Sequence, residues 1–136
     1  MENDLKSYTK TDPAIVMLAH SEIVDGLDID TAGFESLIFV VHAGTIGGGN
    51  AAFVMQHADD DGSGSPDTYA DVAATDLIGA YADIALPSTA SDTSAHIGYK
   101  GKKRWVRLQN VESTSWTTHN HGAVAILGNP KRVPIA

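Results

Sequence analysis

The chain has 136 residues, 43% of them hydrophobic but only 7% aromatic, with no cysteine and a net charge of −8. That length suits one domain, burying roughly two-thirds of the surface its unfolded form would expose. The missing cysteines exclude disulfides and thiolate metal sites, and the acidic balance argues against a general nucleic-acid binder, because phosphate contacts need a cationic surface.

Residues 1–13 read as a polar N-terminal arm without periodicity, closing in the turn-like Thr11-Asp12-Pro13. The first apolar run, Ala14 to Ala19 (AIVMLA), is about half the length of a signal peptide or membrane span, so the expectation is a soluble chain without a membrane partner. Bounded by that proline and by His20-Ser21, the run suits a buried strand. In Glu22 to Asp30, Leu27 and Ile29 alternate with Asp28 and Asp30, the period-two pattern of a half-buried strand. Phe34 to Ala43 (FESLIFVVHA) is the strongest strand, and its continuous apolar stretch Leu37 to Val41 predicts cover on both faces. The glycine turn GTIGGGN and the return AAFVMQHAD then suggest an antiparallel hairpin.

Asp59 to Asp67 (DDDGSGSPD) is an acidic loop, and Thr68 to Tyr81 reads as short strands broken by Gly79, with a short helix as the alternative. After a Ser/Thr/Ala loop come Ala95 to Lys100 and Lys103 to Val111, the latter alternating Val106 and Leu108 against Trp105, Arg107 and Gln109. Gly122 to Leu127 is the last clear strand; Pro130 and Pro134 mark residues 129–136 as an extended C-terminal tail. About eight strands with sandwich-like turn spacing, no strand–helix alternation and no heptads predict an all-β, two-sheet antiparallel sandwich of jelly-roll type over residues 14–128.

Motifs that carry chemistry are scarce. Asp59-Asp60-Asp61-Gly62 invites a calcium reading, but with Gly62 at the sixth place of an EF-hand loop, His57 falls at the first and Thr68 at the twelfth. His119 and His121 could point to one side of a strand like two zinc or iron ligands, yet no carboxylate lies nearby in sequence, and a loop or interface pair is the simpler reading. Gly62-Ser63-Gly64-Ser65 lacks a hydrolase elbow's setting, and the 44–49 glycine run lacks a phosphate loop's lysine and helix. The expectation is a protein that is not an enzyme and needs no cofactor or metal.

Charge is distributed unevenly: residues 1–99 hold 16 acidic and 2 basic side chains, a net of −14, whereas residues 100–136 hold 7 basic and 1 acidic, a net of +6. Such asymmetry arises either from internal pairing or from a dipolar surface that docks on copies or partners. Lys100, Lys102, Lys103, Arg104, Trp105 and Arg107 form the concentrated basic patch, with Lys131 and Arg132 near the end. An acidic protein surface or internal carboxylates suit it better than nucleic acid, and arginine and tryptophan are common interface hot spots.

The order Asp30-Thr-Ala-Gly-Phe-Glu-Ser-Leu-Ile-Phe-Val, then Asp59-Asp60-Asp61, then Ile97-Gly-Tyr-Lys-Gly-Lys-Lys-Arg-Trp-Val-Arg107, then Ala123-Val-Ala-Ile-Leu-Gly-Asn-Pro-Lys-Arg132 resembles small virion proteins of tailed phages. In particular it is similar to jelly-roll cement, or decoration, proteins such as that of Bordetella phages, over about residues 27 to 134. The resemblance implies a virion protein made in the host cytoplasm and seated on the capsid exterior. There it would bind the major capsid protein, bridge neighbouring subunits as a homo-oligomer, dimer or trimer, and stabilise the head. A carbohydrate-binding jelly-roll module is the alternative, with Tyr69, Tyr81, Tyr99, Trp105 and Trp116 as stacking rings and the acidic loop as a calcium site.

Overall fold

The computed structural model describes residues 4–20, 23–47, 49–87, 89–112 and 119–132. A four-residue helix, α1 (Leu5–Tyr8), capped by the Asp4 carboxylate, precedes ten strands: β1 (Lys10–His20), β2 (Val24–Asp25), β3 (Ile29–Asp30), β4 (Phe34–Ile46), β5 (Ala51–Ala58), β6 (Ala70–Asp71), β7 (Leu77–Ile78), β8 (Thr93–Tyr99), β9 (Trp105–Glu112) and β10 (His119–Pro130). One sheet has the order β1-β10-β4-β8-β7 and the other β2-β9-β5-β6, with β3 also on β9. With β2 and β3 counted as one interrupted strand and β7 as an edge addition, eight antiparallel strands wind as a jelly roll.

The core follows from the period of two. Leu37, Phe39, Val41 and Ala43 of β4, Ala125 and Leu127 of β10, and Ile97 and Tyr99 of β8 point inward from the first sheet. They meet Phe53 and Met55 of β5 and Val106 and Leu108 of β9 from the second. These buried residues form one contiguous cluster.

Several expectations change. Residues 34–43 and 51–59 do not form a hairpin: β4 is held on both sides by β10 and β8, so the chain crosses at the glycine run into the other sheet, where β5 pairs with β9 and β6. Nor does the sheet stop at Pro13. Lys10 to Pro13 pair with Leu127 to Val124, so the arm's last four expected residues belong to β1, an edge strand that tolerates a proline. Asn129 and Pro130 likewise close β10, and the expected tail lies in residues 131–132 and, outside the described residues, 133–136.

The 22–30 segment is two short strands. At Gly26 the main chain leaves the β9 ladder: Gly26 N–H donates to Leu108 O at 2.7 Å, and Leu27 N–H donates to Ala14 O of the opposite sheet, also at 2.7 Å. This crossing turns Leu27 outward while Ile29 is buried. The ambiguous 68–81 stretch resolves into both alternatives, with the two-residue strands β6 and β7 separated by a 3₁₀ turn, Ala74–Asp76, and followed by another, Tyr81–Ile84.

Candidate functional site

The basic strand enters a network that folding itself completes. β9 alternates strictly, so Val106 and Leu108 enter the core while Trp105, Arg107 and Gln109 project from the outer face of the second sheet. Arg104, just before the strand, donates through Nε and Nη2 to both oxygens of Asp30, at 2.9 and 3.0 Å, and through Nη1 to Asp60 at 3.1 Å. Trp105 Nε1–H donates to the same Asp60 oxygen at 3.1 Å, and the Arg104 guanidinium stands 5.1 Å from the Trp105 ring. Lys103 Nζ pairs with Asp59 at 2.8 Å. Arg107 donates to Gln56 at 2.9 Å, lies 3.6 Å from Asp25 and stacks 4.1 Å over Tyr69, whose hydroxyl donates to Asp28 at 2.7 Å.

The lopsided charge of the sequence therefore cancels in part within the molecule, at three of the seven basic side chains of residues 100–136. Each basic side chain from Lys103 to Arg107 finds a carboxylate contributed by the acidic part of the chain. Lys100, Lys102, Lys131 and Arg132 are different: all four are exposed, and among the described residues none has an ion-pair partner. The structure brings their two segments to one end of the sandwich, because the turn after β3 bonds to both. Thr31 N–H donates to Arg104 O, and Lys131 N–H donates to Gly33 O, each at 2.9 Å.

The loop carrying Lys100 and Lys102 is pinned from below. Lys103 N–H donates to Tyr99 Oη at 3.1 Å, and that hydroxyl lies 3.0 Å from His57 Nδ1. Burial, then the nearby Lys103 charge, lowers the His57 pKa, which favours the neutral imidazole in this hydrogen bond with the tyrosine hydroxyl. A Cβ at 101 would come within 2.4 Å of Tyr99 Oη, so any other residue there must displace the Tyr99 ring.

The carboxylates respond to their partners. Arg104 holds the Asp30 carboxyl below the ordinary aspartate range, and Asp60 is lowered first by the Trp105 N–H and then by the backbone N–H groups of Gly62 and Gly64. Because the folded pKa of Asp30 lies below its unfolded value, its stabilisation is complete above about pH 4 and is lost as the pH falls through the lowered folded value. Urea titrations from about pH 6 to about pH 2 should therefore show Asp30→Asn flattening the acid limb of the stability profile. An unchanged limb would remove Asp30 from the account.

Other sequence candidates are placed as follows. Asp60 and Asp61 fold the acidic loop on itself by accepting N–H bonds from Gly62, Ser63, Gly64 and Ser65. His119 and His121 lie on β10 with their side chains buried, ring centroids 6.4 Å apart, and His121 meets Phe53 edge-on at 5.2 Å. They are core residues, not a loop or interface pair, and no group of three metal-ligating side chains gathers among the described residues. Of the proposed stacking rings, Tyr99 is only 5% exposed and Tyr81 donates its hydroxyl to Val72 O and Met55 O. Tyr69 and Trp105 each lie beside a guanidinium, and Trp116 falls outside the described residues.

A second surface was not singled out by sequence. The outer face of the β1-β10-β4-β8 sheet carries Ile38 and Val40 of β4 beside Ile126 and Val124 of β10, with Pro13 of β1 next to Val124. The signal was present in the continuous apolar run Leu37 to Val41, which predicts cover on both faces without saying what supplies it. Among the described residues nothing supplies it, and Ile38 and Val40 remain half-buried.

No protein-family model matches it, and no curated protein matches it in sequence. Its fold is shared by the crystal structure of the SPBc2 prophage-derived protein YomS, with a TM-score of 0.52 and 13% sequence identity over 89% of this chain and 95% of that one. At that identity the likeness defines the class as a single all-β sandwich.

Proposed function

We propose that this protein is a non-enzymatic structural component of a tailed-phage particle, a cement protein on the capsid exterior that binds the major capsid protein and bridges neighbouring subunits. The observation that carries the reading is the sandwich shared, along nearly the whole of both chains, with a prophage-derived protein. The strand segments that resemble phage cement proteins supply the finer assignment.

Lys100, Lys102, Lys131 and Arg132 are the residues for a capsid contact, since their charges are not already committed within the fold, unlike those of Lys103, Arg104 and Arg107. Exposed lysines bind weakly one at a time, but a shell presenting many equivalent sites tolerates low affinity at each. Reversing Lys100, Lys102 and Lys131 to glutamate together should lower occupancy on purified heads and reduce their thermal stability, with the free protein's melting transition essentially unchanged. Undiminished occupancy would reject this contact. Cross-linking mass spectrometry of purified particles that recovered no capsid neighbour would reject the capsid assignment itself.

A further inference from the structure

The two outer faces of the sandwich differ in kind. On the second sheet, Arg107, Asp25 and Asp71 are laced together through Gln56 and Gln109, which is a solvated surface. On the first, none of the described outward positions of β1, β10, β4, β8 and β7 is Asp, Glu, Lys or Arg. Apolar Ile38, Val40, Val124 and Ile126 form its centre, with serine, threonine and histidine around them. In a chain with 19% charged residues, a whole sheet face without charge is the compositional mark of an interface core.

The same face is shaped as well as apolar. The register of β1 against β10 slips between Ile15 and Leu18, raising Val16 and Met17 as a shoulder, 54% and 53% exposed. Beside that shoulder runs a groove of about 540 Å³, lined chiefly by Pro13, Val16, Met17, Val40, Ala123 and Val124. Asp12, the one charged residue lining it, is paired with Lys10 at 3.0 Å. Ile78, 60% exposed on β7, closes the far side against Gly98.

We infer that this face is the contact between two copies of the chain, packed sheet against sheet about a two-fold axis, with the Met17 shoulder of each copy entering the groove of the other. Charge selects the occupant. Two chains of −8 repel wherever their charged surfaces meet, and on this face the one carboxylate at the groove, that of Asp12, is already paired with Lys10. A two-fold contact also needs a surface complementary to itself, which a flat, uncharged face with one ridge and one groove provides. The area fits a modest dimer: four strands by about seven residues cover roughly 450 Å². The shoulders extend this toward the roughly 600 Å² per partner at the lower end of specific interfaces. The inference stands whether or not the protein rides on a phage head.

Sedimentation of the full chain across about 1 to 200 μM should show a reversible monomer–dimer equilibrium. Val40→Lys should weaken it at least about 30-fold, since the lysine charge would be buried without a partner. Met17→Asp and Ile78→Lys, at exposed positions that leave the core untouched, guard against a folding artefact and should weaken it in the same sense. A chain that stays monomeric, or a dimer indifferent to all three charged substitutions, would overturn the inference. So would a monomer that loses binding to heads on Met17→Asp, since that places a shell subunit on this face.

Discussion

Gly26→Ala is expected to destabilise the fold by about 3 kcal/mol or more, at the upper end of what overpacking costs, through a single added methyl group. The methyl would lie 2.3 Å from Leu108 O and 2.6 Å from Ala14 O, and both are main-chain atoms that no side-chain rotation can move aside. Those carbonyls belong to β9 of one sheet and β1 of the other, and Gly26 and Leu27 bond to them in succession. To admit the methyl, the edges of the sandwich must part and one or both bonds must lengthen. Chemical denaturation should show a lower midpoint with an unchanged slope. Wild-type stability in Gly26→Ala would mean that the two edges do not meet at this residue.

The same crossing shows why the sequence disclosed the architecture better than the connections. Alternation in Lys103 to Val111, the apolar run in Phe34 to Ala43 and the proline limits identified strands, because each is a local consequence of one buried face. How β4 reaches β5 is not local. A glycine run serves equally for a hairpin and for a passage between sheets, and only the competition of β10 and β8 for both edges of β4 decides it. Residues 22–30 misled for a related reason: Leu27 has a strand-like neighbour pattern, but its main chain is taken by Ala14, far away in sequence.

The candidate surfaces were legible to unequal degrees. Lys100 to Arg107 stood out as a basic patch, but whether each cation faces solvent depends on partners 44 to 82 residues away. Asp30, Asp59, Asp60 and Asp25 claim three of them and leave Lys100 and Lys102 exposed. The uncharged face was visible only as an excess of apolar residues in one strand. An apolar strand in a two-layer fold predicts cover for its second face without saying whose atoms provide it.

Consecutive residues of β4 test that division between faces directly. Phe39→Ala should cost about 3 to 5 kcal/mol, from the lost burial of the ring together with the cavity left behind. The ring is fully buried, on the inward side shared with Ala125 and Ile97. Against a total stability of about 5 to 15 kcal/mol for a typical domain, that is enough to leave a large unfolded fraction near physiological temperature. Val40, one residue on, projects from the other side and is half-buried, so Val40→Ala in the dissociated monomer should cost less than about 1 kcal/mol. At protein concentrations where two copies associate, the Val40 loss should grow while the Phe39 loss stays the same size, because mass action ties only the outward residue to the partner. Denaturation midpoints of both variants at about 1 μM and about 100 μM would read this; equal losses at both positions would mean that β4 does not separate a core from an interface.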